Sequence, residues 1–198
     1  LADFSRSTYL PDVSYIMSDM YDGFMQAVAY LKELGHRNIG YLSAFDESCY
    51  YDVRLPAFKI AMRKLLDAGV PAIEYGWPYT TSEELGGRLM ERMMDEHPEV
   101  TAVIATNDLM AIGAMKAAKN RNKRVPEDYS VIGVDNIGKS RQCEPPLTTL
   151  DQSGKAYGAR IFQILYDNIM QDTTGKYIEP MRLLKRGSTA PVSDGGRK

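Results

Sequence analysis

The chain has 198 residues, of which 44% are hydrophobic and 25% are charged, a composition typical of a globular protein long enough to bury a core. Its 24 Lys and Arg against 26 Asp and Glu leave a formal net charge of -2, which argues against a nucleic-acid-binding surface on this chain alone. The two cysteines, Cys49 and Cys143, lie far apart; this argues against a disulfide framework or a CxxC-type zinc site and favours a reducing compartment.

The sequence carries no signal for a membrane or for export. No window approaches the roughly 18 to 20 consecutive apolar residues of a membrane helix. The first residues lack the basic start and the apolar run of a signal peptide. We therefore expect a soluble, cytoplasmic protein with no membrane partner.

Short apolar runs rich in Val and Ile alternate along the chain with longer segments of helical period. The predicted strands cover residues 13–17, 39–43, 72–75, 101–105, 130–134 and 181–184. The apolar faces of the predicted helices are Phe24, Val28, Leu31; Phe58, Met62, Leu65; Leu85, Leu89, Met93; Leu109, Ile112, Met115; and Tyr157, Ile161, Leu165. This alternation is the pattern of βα units, and it predicts an α/β fold with a mostly parallel sheet.

Helix ends and loops are marked by residues suited to them. Gly35 ends the first helix, residues 81–84 form a capping box for the third, and Ser153 caps the last. Gly86-Gly87 inside the third helix indicates close packing there, because glycine in a helix otherwise costs stability. Residues 135–151 contain two adjacent prolines and no helical period, so we predict a loop or crossover.

Polar side chains gather where the predicted strands end. In open α/β sheets, ligands bind outside the carboxyl ends of the strands. The polar and aromatic residues expected at that edge are Asp46, Arg54, Tyr79, Asn107, Asp108, Asp135 and Asn136. Such donors, acceptors and ring faces suit a polyhydroxyl compound or another small polar molecule.

Five segments occur in an order shared with one known family. They are LGHRNI at 34–39, NDLMAIGA at 107–114, VPEDYSVIGVDN at 125–136, PLTT at 146–149 and RGST at 186–189. In these segments the chain resembles the bacterial LacI/GalR transcription regulators, from about Leu1 to Thr189. The resemblance implies a periplasmic-binding-protein-like type I domain, in which two α/β subdomains joined by three crossovers close over a small effector.

The chain departs from that family at its start, where members carry a helix-turn-helix domain, a hinge helix and further βα units. The resemblance therefore implies a C-terminal portion that meets operator DNA only through the absent N-terminal domain. Residues 1–37 and 152–172 would be a remnant of the first subdomain. Residues 38–146 and 178–190 would form the second subdomain, and 191–198 a disordered tail. The helices around Phe24 and Tyr157 would then lack most of the sheet they are built to cover.

The resemblance also implies an effector site, residue by residue. Its members are Asp3, Phe4, Arg54, Tyr79, Asn107, Asp135 and Gln152. Tyr79 stands for a stacking aromatic residue, with Trp77 as the second choice. Arg54 lies at the start of a predicted helix, where the helix dipole disfavours a cation, so a functional role is favoured. Of the pair Asn107-Asp108, we assign Asn107 to the effector and Asp108 to the helix cap.

These observations predict the effector-sensing and dimerisation portion of a LacI-type regulator that binds a small metabolite, which we expect to be a sugar. By the resemblance, a homodimer or larger assembly would form through the helix carrying Ile112 and the loop around Cys143, where we expect an exposed apolar row. The alternative is a periplasmic-type sugar-binding protein of a transporter or chemoreceptor. An enzyme is disfavoured because common catalytic and metal-ligand signatures are missing, and we expect no cofactor or metal.

Overall fold

The computed structural model describes residues 13–49, 52–67, 71–76, 80–152, 154–171 and 173–192. Its strands are β1 (Tyr15–Ser18), β2 (Ile39–Ser43), β3 (Ile73–Tyr75), β4 (Ala102–Ala105), β5 (Ser130–Val134), β6 (Thr148–Asp151), β7 (Lys176–Glu179) and β8 (Arg182–Leu184). Its helices are α1 (Met20–Glu33), α2 (Arg54–Leu66), α3 (Glu83–Glu96), α4 (Asp108–Asn120), α5 (Gly138–Gln142) and α6 (Gly154–Gln171).

Six of these strands form one sheet in the order β3-β2-β4-β5-β6-β8. Neighbouring strands are parallel except β6 and β8, which are antiparallel. The strands β1 and β7 pair in parallel in a separate two-stranded sheet. The predicted α/β class, with mostly parallel strands flanked by helices, is confirmed.

Helices cover both faces of the six-stranded sheet. The helices α1 and α2 pack on one face, where the rings of Tyr41 and Phe58 stack with centroids 5.0 Å apart. The helices α3 and α4 pack on the other face, around Met90. Successive side chains of a strand point to opposite faces, so Val103 joins one cluster and Ile104 the other. This two-sided burial explains why the central strands are almost wholly apolar.

The helices α3 and α4 approach closely through glycine. A Cβ atom at Gly86 would collide with the backbone of Met110, and one at Gly113 would collide with the backbone of Glu83. The close packing predicted from the glycine pair in α3 is therefore confirmed. The Ser82 hydroxyl accepts from Leu85 N at 3.1 Å, so Ser82 is the N-cap of α3. The predicted capping box is wrong, because the residue three positions after this cap is Leu85, whose side chain cannot accept from the Ser82 backbone.

The helix α1 covers the six-stranded sheet, and this corrects the assignment of residues 1–37 to the first subdomain. Phe24, Val28 and Leu31 are fully buried, and they pack against α2 and the sheet residues of the same cluster. The boundary that fits this packing falls between β1 and α1. Periodicity identified the apolar face of the helix, but it does not show which sheet that face covers.

The helix α6 buries little of its apolar surface among the described residues. Ile164 is buried, and the Tyr157 hydroxyl donates to Ile16 O of β1 at 3.0 Å. The large apolar side chains left exposed on α6 and β7 are Phe162, Leu165, Tyr166, Ile169, Met170 and Ile178. The expectation that α6 lacks most of its sheet stays a prediction. No helix in the described ranges is long and apolar enough to cross a lipid bilayer.

Three elements in the second half of the chain differ from the predictions. Residues 135–151, predicted as a loop, contain the five-residue helix α5 and the strand β6. A single helical turn shows no apolar period, and the Thr-rich strand lacks the Val and Ile signal. The strand β7 was not predicted. It pairs with β1 in the two-stranded sheet, so the predicted start of the second subdomain at residue 178 falls inside a strand of the other unit.

Candidate functional site

Four of the predicted effector residues lie at the carboxyl edge of the six-stranded sheet. Asn107, Asp135 and Gln152 follow β4, β5 and β6, which are neighbours in the sheet. Arg54 opens α2, which follows the adjacent strand β2. The parallel strand order thus brings side chains from distant parts of the sequence to one edge.

Arg54 is held by a buried carboxylate that the sequence analysis did not single out. Asp52 accepts from Arg54 N at 3.2 Å and from Leu55 N at 3.4 Å, and its Oδ1 lies 3.6 Å from Arg54 Nη1. Arg54 Nε is buried and has no hydrogen-bond partner among the described residues. An unsatisfied buried donor is costly, so this atom is suited to donate a hydrogen bond to a ligand oxygen.

Asp135 ends a hydrogen-bonded chain that crosses the strand ends, with Gln152 in its middle. The Gln152 side-chain amide donates to Asp135 Oδ1 at 2.7 Å, and the Ser18 hydroxyl donates to Gln152 Oε1 at 3.0 Å. Burial raises the pKa of Asp135, while the charge of Arg54 and the Gln152 hydrogen bond act in the opposite direction. Arg54 and Asp135 are therefore close enough to interact electrostatically, as a shared site requires.

Asn107 caps α4, which corrects the assignment of the cap to Asp108, while the effector role predicted for Asn107 stays a prediction. Asn107 Oδ1 accepts from Met110 N at 3.0 Å, so Asn107 is the N-cap of α4. Its side-chain nitrogen makes no hydrogen bond within the described ranges and can still donate to a ligand. Asp108 is fully buried and accepts from Ile137 N at 2.9 Å and from Thr149 Oγ1 at 2.5 Å. Burial raises the pKa of Asp108 to about 6, against the effect of these hydrogen bonds.

Tyr41 lies beneath the charged residues of the site. It is fully buried, and its hydroxyl donates to Thr106 Oγ1 at 3.4 Å. Burial raises the pKa of Tyr41, and the carboxylates of Asp52 and Asp135 raise it further, while Arg54 lowers it. The Tyr41 hydroxyl therefore stays protonated, and Tyr41 adds no charge to the site.

The remaining predicted site residues fall elsewhere. Asp3, Phe4, Tyr79 and the second choice Trp77 lie outside the residues that the structure describes. Ser18 and Asp52 belong to the observed site and were not predicted. A signal existed for Asp52, because a carboxylate two residues before a helix start is typical of a capping position. Ser18 could not be recognised, since its role depends on a contact with Gln152 across most of the chain.

The expected dimer surface differs from its prediction in one respect. Ile112 and Cys143 line one surface pocket of about 390 Å³ together with Lys116, Lys119 and Lys139. Ile112 is only 2% exposed, because it packs into the cluster between α4 and the sheet. The argument from an exposed apolar row is therefore wrong for Ile112, and the surface is a mixed cationic and apolar pocket.

Comparisons of the sequence agree with this geometry. Residues 28–189 match the family described as periplasmic binding protein-like domain. The chain is 36% identical over 161 residues to the HTH-type transcriptional repressor PurR of Mannheimia succiniciproducens, which spans 80% of this chain and 47% of that protein. It is 34% identical over 191 residues to the HTH-type transcriptional repressor CytR of Escherichia coli, spanning 94% of this chain and 54% of that protein. The chain belongs to the LacI/GalR family.

Solved LacI/GalR structures share the fold. One is a LacI transcriptional regulator from a Rhodococcus species, with a TM-score of 0.85 and 27% identity over 94% of this chain and 68% of that one. Another is a LacI family regulator from Enterococcus faecium with bound ribose, with a TM-score of 0.79 and 27% identity over 91% of this chain and 66% of that one. The chain spans about half the length of the curated LacI/GalR relatives it matches. Those relatives are named as repressors and not as enzymes, which fits the absence of catalytic motifs.

Proposed function

We propose that the chain is the effector-sensing portion of a LacI-type regulator and that it binds a small polyhydroxyl metabolite at the carboxyl edge of the six-stranded sheet. The observation that carries the proposal is the presence at this edge of both an unsatisfied buried donor, Arg54 Nε, and the half-buried carboxylate of Asp135, on which Arg54 acts electrostatically. A sugar supplies both an acceptor for the first and a donor for the second, because each hydroxyl does both.

The charges at the edge favour a neutral ligand. Asp52 is buried there, Asp135 is half-buried, and Arg54 already lies beside Asp52. An anionic ligand would bring a third negative charge to a site with one described cation, which is electrostatically unfavourable. The ribose in the Enterococcus faecium structure is consistent with a sugar-type effector for this chain.

The regulator as a whole is proposed on the same family relationship. The chain would meet operator DNA through a helix-turn-helix domain and would pair with a second copy through the pocket lined by Ile112 and Cys143. The relatives named as HTH-type repressors favour this assignment over a periplasmic sugar-binding protein of a transporter or chemoreceptor.

Ligand binding to site variants tests the proposal. A thermal-shift screen of monosaccharides, disaccharides and nucleosides identifies a ligand, and titration calorimetry measures its affinity. Arg54→Ala and Asp135→Ala each remove one partner of a buried charged hydrogen bond, so we expect roughly 30- to 1000-fold weaker binding, equivalent to about 2 to 4 kcal/mol.

The matched control is Arg63→Ala, which removes an exposed arginine near the other end of the same helix. We expect the control to bind like the parent protein. Parental affinity in both site variants would rule out Arg54 and Asp135 as effector contacts.

A further inference from the structure

The backbone that carries Asp135 has an unusual conformation. Asp135 has φ of 105° and Asn136 has φ of 54°, so two consecutive residues with side chains have positive φ. The other described non-glycine residues with positive φ are Asp67, directly after α2, and Asn122, two residues after the last residue of α4. A left-handed residue commonly ends a helix, whereas the Asp135-Asn136 turn follows a strand. The turn must therefore be held by other contacts, because such φ values are costly for residues with a Cβ atom.

One set of contacts comes from Asp108 at the start of α4. Its carboxylate accepts from the backbone of Ile137, the residue directly after the turn, and from the Thr149 hydroxyl on β6. Gly133 makes room for this carboxylate, since a Cβ atom there would collide with Asp108 Oδ1. Asp108 thus connects the residue after the turn, Ile137, to α4 and to β6 by hydrogen bonds.

A second set of contacts comes from Arg186, after β8. Its Nη2 donates to Asn136 Oδ1 at 2.6 Å, and its Nη1 donates to Leu147 O at 2.7 Å and to Ser140 Oγ at 3.1 Å. A planar guanidinium with several fixed donors can hold three acceptors in one arrangement, which lysine cannot do. Arg186 therefore connects the Asn136 side chain by hydrogen bonds to α5 and to the residue directly before β6.

We propose that Asp108 and Arg186 are positioning residues for the effector contact of Asp135, acting through the left-handed turn at Asp135-Asn136. The inference rests on the proposed function, in which Asp135 contacts the effector. Without these two anchors the turn relaxes toward negative φ, and the carboxylate of Asp135 leaves the orientation in which it accepts from the Gln152 amide. An interaction that is already oriented loses less entropy on binding, so the anchors strengthen binding without touching the ligand.

Two measurements on the full-length protein test this inference. The first needs no ligand: hydrogen exchange of the amides of Asn136 and Ile137. We expect faster exchange at both amides in Arg186→Gln and in Asp108→Ala. We expect exchange close to that of the parent in Asp108→Asn, which keeps the shape of the side chain and can still accept from Ile137 N.

The second measurement is the affinity for D-ribose, cellobiose and lactose by titration calorimetry, using whichever of them the parent protein binds most tightly. We expect Arg186→Gln and Asp108→Ala to weaken binding about tenfold, the effect of about 1.4 kcal/mol, and Asp108→Asn to recover most of the loss. The matched control is Arg121→Gln, because the Arg121 side chain is 47% exposed at the C-terminal end of α4 and pairs with Asp95 of α3, away from the turn. We expect the control to bind within about twofold of the parent.

A double variant separates positioning from general destabilisation. In an Asp135→Ala background, Arg186→Gln should cause no further loss of affinity, because the contact it positions is already gone. A further loss of about tenfold there would overturn the inference. Parental exchange of the turn in Arg186→Gln and Asp108→Ala, or a loosened turn with parental affinity, would overturn it as well.

The same data distinguish failure of the proposed function from failure of the positioning role of Asp108 and Arg186. If Asp135→Ala binds as tightly as the parent, Asp135 is not an effector contact and the proposed function fails. If the parent binds none of the three sugars, the exchange measurement decides whether Asp108 and Arg186 hold the turn.

Discussion

At the scale of single residues, two adjacent polar side chains of one motif have separate tasks. Asn107 caps the N-terminus of α4. Asp108 points into the protein, where its carboxylate accepts from Ile137 N and from the Thr149 hydroxyl. Both residue types cap helices well, so the sequence alone could not decide between them. The choice depends on Gly133 of the neighbouring strand, whose missing side chain leaves the space that Asp108 fills.

The raised pKa of Asp108 predicts how stability depends on pH. Its folded pKa is about 6, above the ordinary 3.8, so the folded state favours the neutral acid. The stabilisation that the neutral Asp108 side chain gives the folded state is fully present below about pH 3.8, and it is lost as the pH rises through about 6. The difference corresponds to roughly 3 kcal/mol of unfolding free energy. We therefore expect Asp108→Asn to gain stability relative to the parent as the pH increases from 4 to 7, measured by urea unfolding.

The pKa of Asp128 is shifted in the opposite direction to that of Asp108. Hydrogen bonds from Arg124 lower the pKa of Asp128 to about 2, so its contribution is present at neutral pH and is lost on acidification through that value. Asp128→Asn should therefore lose stability relative to the parent at pH 7 and approach it in strong acid. Equal pH profiles for the Asp108→Asn variant and the parent would contradict the assignment of a raised pKa to Asp108.

At the scale of secondary structure elements, the contact between α3 and α4 depends on backbone approach and not on side-chain size. Gly86 and Gly113 each lie where a Cβ atom would meet the backbone of the facing helix. At Gly87, the next residue along, a Cβ atom would lie 3.5 Å from the nearest atom of the facing helix, Gly113 O, which is ordinary van der Waals contact.

This geometry predicts different effects for two identical substitutions in adjacent positions. Gly86→Ala should force the helices apart and lower the free energy of unfolding by about 1 to 3 kcal/mol. Gly87→Ala should be neutral or stabilising by up to about 1 kcal/mol, because alanine is the better helix former. Urea unfolding of both variants measures the difference, and a more stable Gly86→Ala variant would contradict the observed approach of the helices.

The elements with clear periodicity could be predicted, and those set by tertiary contact could not. The faces of α1, α3 and α4 repeat every three to four residues, so they are recognisable in the sequence. The helix α5 has a single turn, and β7 forms by pairing with β1 about 160 residues earlier in the chain. Similarly, Arg54, Asp135 and Gln152 could be placed from strand ends and family resemblance, while Ser18 and Arg186 act through contacts that no local pattern records.

At the scale of the whole molecule, the described residues form one unit whose apolar surface is well covered and one whose apolar surface is sparsely covered. The six-stranded sheet has helices on both faces, whereas a two-stranded parallel sheet with one helix buries little apolar area. Phe162, Ile169 and Met170 of α6 are each more than 60% exposed. Exposed apolar surface of this size is typical of a surface that another part of a protein covers.

Hydrogen exchange on the 198-residue chain tests this division. We expect the amides of α1 to be as well protected as those of α3 and α4, since Phe24, Val28 and Leu31 are buried in the main core. We expect weaker protection along α6. Protection of α6 equal to that of α1 in a monomeric sample would contradict the division into two unequally covered units.

The central claim is that a small polar effector binds at the carboxyl edge of the six-stranded sheet. A crystal structure of the full-length protein with the tightest-binding ligand from the screen tests it most directly. We predict a ligand oxygen within hydrogen-bond distance of Arg54 Nε and a ligand hydroxyl that donates to Asp135. A ligand bound elsewhere would contradict the claim, for example in the cavity of about 510 Å³ at the opposite edge of the sheet, which is lined by His36, Thr101 and Tyr129.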